Sequence, residues 1–218
     1  MLNSPKRAIW EALLLAGVVF FLGFLLGFVF ESSQTNKMNE YYLSSEFYLM
    51  DAIALNSLVD EGIFDCSSLY NAYSSFADRV YQEAILLQEY ESSEQITEEM
   101  KIVHRRYDLL RTFLWANILK TSKTCENSPN IVVYLYEYNT EDLVKKATQN
   151  VWSKVLLDLK EEQGENILLI PIASDLNIDS LNVIIKNLNI STFPAVVINN
   201  NKIINELTSS KDIEKYLN

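Results

Sequence analysis

The chain has 218 residues, 49% of them hydrophobic and 11% aromatic, with a formal net charge of −11. That apolar content is far above what a disordered polymer carries, and a mean hydropathy near zero is too low for a multi-span membrane protein. An acidic surface repels phosphate backbones and anionic headgroups, so nucleic acid is excluded as an expected partner. The acidity begins after the first 30 residues: residues 31–126 hold 8 basic and 16 acidic side chains, and residues 127–218 hold 8 and 12.

Ala12 to Phe30 is an uncharged run of 19 residues, about 28 Å long as a helix, which matches the ~30 Å hydrocarbon core of a bilayer. A cleavable signal peptide has a shorter apolar core followed by small residues, whereas Phe28, Val29, Phe30 and Glu31 close this run. The expectation is an uncleaved signal anchor over residues 1–30. Lys6 and Arg7 precede the run, so the positive-inside bias places the N-terminus in the cytoplasm of a single-pass membrane protein and the bulk of the chain outside. Gly23 and Gly27 make a G-x-x-x-G pair, through which two such helices would pack as a homodimer.

Between Gly27 and Gly62 there is neither Gly nor Pro, so the helix is expected to continue outward as a stalk. Leu43, Phe47, Met50, Ala54 and Leu58 form an apolar stripe on it at helical spacing. Its expected partners are Leu69, Tyr73, Phe76 and Val80 on a second helix and Met100, Val103, Tyr107, Leu110 and Leu114 on a third. Asp65 or Ser67 suits the cap of the second helix, and Ser92, Ser93 or Thr97 that of the third. Residues 31–127 therefore read as a three-helix bundle or stalk. Lys101, His104, Arg105, Arg106 and Arg111 read as a solvated face balancing Glu94, Glu98 and Glu99. His104 has no second His or Cys at metal-ligand spacing and no triad partner, so no metal, no cofactor and no catalytic group are expected.

The chain has two cysteines, Cys66 at the start of the second helix and Cys125 just past the third. If those helices run antiparallel, both thiols reach the same end of the bundle and a disulfide is geometrically reasonable. Closing such a loop stabilises by roughly 4 kcal/mol in the chain-entropy model, and an extracytoplasmic location supplies the oxidising conditions. A structural staple, a redox-active pair and two buried free thiols all stay open at this stage, because Cys66 at a helix N-terminus suits a reactive thiolate.

The composition shifts at Asn127, Ser128 and Pro129, and a second folded domain is expected over residues 128–218. Ile131 to Leu135 reads as a buried strand, 141–162 as a helix capped by Asn139 or Thr140, Asn166 to Ala173 as a strand and Ser180 to Leu188 as a helix. Pro194 opens the strand Ala195 to Ile198, three asparagines turn the chain into Lys202 to Asn205, and a short helix closes it. The order implies two parallel strands joined by a crossover helix, followed by an antiparallel hairpin. The fold class is α+β overall, with a transmembrane helix, a helical stalk and a C-terminal α/β domain.

That order, with the run Asn189-Ile190-Ser191-Thr192-Phe193-Pro194-Ala195-Val196-Val197-Ile198-Asn199, resembles the thioredoxin-like superfamily over about 90 residues of the chain. The resemblance implies a cis peptide before Pro194 and a ligand-facing backbone at Phe193, so that Thr192, Phe193 and Pro194 would form a peptide-binding edge. The proline serves equally well as a purely structural start to the strand. The departure from the family lies at its C-x-x-C position, where this chain has Tyr138-Asn139-Thr140-Glu141-Asp142-Leu143. Asn139, Thr140 and Leu143 thus mark a degenerate active-site position, and Thr140 has no base in sequence to activate it. Subtraction leaves an anchored, redox-inactive thioredoxin-like module for a peptide or protein client. The alternatives are a tethered thiol-disulfide oxidoreductase using Cys66 and Cys125, or a structural subunit of a membrane complex.

Overall fold

The structure, a computed structural model, describes residues 5–93, 98–125, 129–138 and 140–217. It divides into two compact units, Met1–Ser44 and Ser45–Asn218. The second unit holds the helical segment from Ser45 onward together with the C-terminal sheet.

The first unit is the beginning of helix α1 (Pro5–Asp60). Its stretch Ile9–Gly27 is 19 residues long, has a mean hydropathy of 2.4 and is long and apolar enough to cross a membrane. No residue in this stretch is buried, Gly23 and Gly27 included.

The second unit starts with the last turns of α1. That helix ends where Gly62 takes φ 69° and the Ile63 amide donates to the Leu58 carbonyl, a glycine-terminated helix end. The side chain of Asp65, one of the two expected caps, then accepts from the Ser68 amide and opens α2 (Cys66–Ser93). Helix α3 (Glu98–Thr121) packs on α2. Tyr73 and Thr121 share a hydrogen bond of 3.1 Å and Cys66 is bonded to Cys125, so the start of α2 lies beside the end of α3, as an antiparallel hairpin requires. Leu69, Tyr73, Phe76 and Val80 on α2, with Met100, Val103, Tyr107, Leu110 and Leu114 on α3, are buried as their spacing predicts.

Helix α1 departs from its expectation. Phe47 and Met50 are 66% and 69% exposed, and Ala54 and Leu58 are exposed as well. The face turned inward is the opposite one: Ala52 is buried, and Tyr48 meets Phe76 edge to face with the Arg79 guanidinium over its ring. Ion pairs from Asp51 to Arg79 at 3.5 Å and from Glu46 to Arg106 at 3.1 Å, with a third between Asp60 and Lys120, hold that face down. The helix is thus seated by an aromatic contact and charges, which apolar periodicity does not register.

Strands β1 (Asn130–Tyr136), β2 (Ile167–Ala173), β3 (Ala195–Ile198) and β4 (Lys202–Ile204) form one four-stranded sheet in the order β2-β1-β3-β4. The β1–β2 pair is parallel, and the β1–β3 and β3–β4 pairs are antiparallel. Pro171 lies in β2, an edge strand, where a missing ladder donor is tolerated. Helices α4 (Leu143–Gln163) and α6 (Ser210–Glu214) cover one face, where Trp152, Leu156, Leu159 and Ile213 pack on Val132, Tyr134, Val196 and Ile198. Helix α3 packs on β2 and on α5 (Asp179–Asn187). Strand β1 is buried through all of its first six residues, as a central strand with both faces covered should be.

Candidate functional site

Register gathers the sequence-predicted residues at one end of the sheet. Tyr136, the last residue of β1, is level with Ala173, the last of β2, while Leu135 pairs with Ala195 at the start of β3. Pro194, one step before Ala195, therefore reaches the level of Tyr136. The Phe193–Pro194 peptide is cis. Pro194 is buried, Phe193 half-buried and Thr192 exposed. Thr192 and Phe193 lie outside β3 and approach the same sheet end as the segment joining β1 to α4.

That segment is tied down by polar groups. The buried Gln149 side chain accepts from the Glu137 amide at 2.9 Å and donates to the Glu137 carbonyl at 2.9 Å, so the first turns of α4 are clamped to the end of β1. Lys145 adds an ion pair to Glu137 at 2.7 Å. The Tyr138 amide donates to Asp175 and the Ser174 amide to the Tyr136 carbonyl, which joins the segments following β1 and β2. The helix cap is Asp142, where Asn139 or Thr140 was expected: its carboxylate accepts from the Val144 and Lys145 amides at 2.9 and 3.1 Å. Asn139 lies outside the described residues, and the Thr140 hydroxyl accepts from the Asp142 amide at 3.3 Å.

A carboxylate thus occupies the positive helix end that would lower the pKa of a thiol in a redox protein. Leu143 and Val144 follow it at 80% and 76% exposure, an apolar pair at the same sheet end as Thr192. The Thr140 hydroxyl is engaged by a backbone amide and not by a base, and the two cysteines, Cys66 and Cys125, are bonded to each other with a Cα–Cα distance of 5.8 Å. Cys125 is 3% exposed, so an attacking thiolate has little access to that sulfur.

His104 and Arg111, expected on a solvated face, are instead buried on α3, together with Asp108. Asp108 is 0% exposed and accepts from the buried Arg111 at 2.9 Å. Burial pushes the Asp108 carboxyl up, with Arg111 and then His104 opposing. Burial also raises Tyr136, and the nearby Asp108 charge adds to this. His104 is buried, with its ring 4.3 Å from that of Tyr138. The other members of the expected face stay at the surface: Lys101 pairs with Glu98 as expected, Arg106 pairs with Glu46, and Arg105 donates to the Asn177 carbonyl. Helix α3 is buried on two sides because it lies between α2 and the sheet. A signal was present in sequence, since His104, Asp108, Arg111, Trp115 and Ile118 continue one another at helical spacing beside the Tyr107–Leu110–Leu114 stripe.

Among the described residues no group of three or more His, Cys, Asp or Glu side chains is placed to hold a metal ion. Against known proteins, no family model, no curated protein and no solved structure matches the chain.

Proposed function

We propose that this protein is a single-pass, membrane-anchored module whose residues 128–218 form a redox-inactive thioredoxin-like domain lying outside the cytoplasm, where it binds extended segments of a protein or peptide client. The strand order β2-β1-β3-β4, with a parallel first pair and an antiparallel hairpin after it, supports the thioredoxin-like reading. The apolar stretch Ile9–Gly27 supports the anchor, Lys6 and Arg7 before it support a cytoplasmic N-terminus, and the Cys66–Cys125 bond suits an oxidising compartment.

The observation that carries the binding role is the exposure of Leu143 and Val144, at the start of the helix that follows β1, while the Thr192–Phe193 segment enters β3 at the level where β1 ends. A client strand would hydrogen-bond to that backbone and lay its apolar side chains on the pair, the economy of strand addition. The test is selection of a displayed random-peptide library on the full chain in lipid nanodiscs. Thr192→Pro, which removes one amide donor, and Leu143→Asp should each weaken the selected peptides by about tenfold or more, equivalent to ~1.4 kcal/mol. Failure to enrich peptides over empty nanodiscs, or binding untouched by both variants, would overturn the role.

A further inference from the structure

We infer that Asn189 is an N-glycosylation site, which receives an oligosaccharide on its side-chain amide. The proposal rests on the reading of the domain as lying outside the cytoplasm, since this modification belongs to secreted and surface chains. Asn189, Ile190 and Ser191 make the one Asn-x-Ser/Thr triplet of the sequence. So short a motif arises readily by chance, and its placement in the fold is what decides.

The triplet lies between α5 and β3, outside any helix or strand. Asn189 and Ser191 are exposed, whereas Ile190 between them is 7% exposed. The buried isoleucine fastens this short connection to the domain, while the acceptor amide and the hydroxyl that a transferase must read both stand in solvent. Among the described residues no side-chain hydrogen bond engages Asn189 or Ser191.

The backbone accounts for the asparagine but not for the triplet. Asn189 has φ 54°, its amide donates to the Lys186 carbonyl and the Ile190 amide donates to the Ile185 carbonyl, a left-handed helix end that favours asparagine. That role is filled by main-chain atoms and leaves the side-chain nitrogen available. It asks nothing of position 191, whose hydroxyl is the other half of the acceptor signal.

In the transfer, the Asn189 side-chain nitrogen attacks the anomeric carbon of an oligosaccharide carried on a lipid diphosphate. A C–N bond forms as the C–O bond to phosphate breaks, the lipid diphosphate leaves with the bonding pair, and the amide nitrogen loses one proton. Nothing is oxidised or reduced. The acceptor is a side-chain atom, whereas the proposed client pairs with backbone at Thr192 and Phe193, so the two roles draw on different groups.

Full-length protein purified from the membranes of the cells that make it, digested with trypsin, yields residues 187–202 as one peptide, in which Asn189 alone heads the triplet. Mass spectrometry of that peptide should show an added glycan. Ser191→Ala, which leaves the left-handed Asn189 in place, and Asn189→Gln should each return it to the unmodified mass, while Ser191→Thr should keep the glycan. An unmodified native peptide, or a glycan that survives Ser191→Ala, would overturn the proposal. Protease added to sealed, wall-free cells separates the two readings. If the peptide is unmodified and the domain is digested, glycosylation alone falls; if the peptide is unmodified and the domain is protected, the extracytoplasmic reading falls with it.

Discussion

The indole Nε1 of Trp115, fully buried on α3, donates to Oδ1 of Asn200 at 2.8 Å, joining residues 85 apart in sequence. Asn199 and Asn200 hold φ of 47° and 56° in the turn between β3 and β4, with the Asn201 amide bonded to the Ile198 carbonyl. Three residues join the strands, since Ile198 pairs with Lys202, and the two positive φ values give the turn the hand that suits a hairpin. The helical segment is thereby pinned to the far hairpin of the sheet, and the two should unfold together.

The bond can be isolated with two conservative changes. Trp115→Phe keeps most of the packing, and Asn200→Gly keeps the positive φ. Urea unfolding of the full chain should show a coupling energy of about 1 kcal/mol between them. Strictly additive effects would mean that the bond contributes nothing.

Cys66 and Cys125 should act as a staple. Replacing both with serine should cost roughly 2–5 kcal/mol in unfolding free energy, since the bond closes a sequence separation of 59 residues. With Cys125 buried, the oxidised protein should not turn over an insulin disulfide in the presence of a reductant. Measurable turnover that disappears in Cys66→Ser would restore the oxidoreductase reading.

Asp108 makes stability depend on pH with a definite sign. Its carboxyl is raised above the ordinary value of 3.8 by burial, against the pull of Arg111 and His104. Between the unfolded and folded values the native state holds more protons than the unfolded chain, so this group lowers stability as pH rises through that window. Thermal melts of Asp108→Asn, compared with the native protein from about pH 4 upward, should lack that decline. A native slope equal to that of the variant would contradict the assignment.

Asp142 should matter as a cap and not as a charge. Asp142→Ala should destabilise by about 1 kcal/mol, because the Val144 and Lys145 amides lose their acceptor, whereas Asp142→Asn should cost only a few tenths. Chemical denaturation of the three proteins measures this, and equal losses in both variants would point to the charge itself.

Local signals made much of the fold legible. Alternating or continuous apolar runs marked β1, β2 and β3, and the proline before Ala195 and the asparagines after Ile198 marked where β3 starts and turns. Cysteine positions made their bond geometrically reasonable because α2 and α3 read as a hairpin, and the structure decides for the bond over two free thiols. What escaped depends on tertiary neighbours. The α1 stripe looked like core because apolar spacing does not say which of two faces a neighbour takes, and Tyr48, Glu46 and Asp51 decided the matter through Phe76, Arg106 and Arg79. His104 and Arg111 looked solvated because a charge on a helix is ordinarily exposed, until α3 is sandwiched against β2. At the candidate site, Pro194 was readable from the Thr192-Phe193-Pro194 step. The cap at Asp142 and the exposed Leu143–Val144 pair needed the structure, since several neighbouring residues could have served as caps.

The central claim is that the segment leading into β3 receives an extended client without sulfur chemistry. Amide hydrogen exchange of the full chain in nanodiscs, with and without a library-selected peptide, tests it most directly. The account predicts new protection at Thr192 and Phe193 and in the first turn of α4, with the Cys66–Cys125 bond intact throughout. Protection confined to other surfaces, or none at saturating peptide, would contradict it.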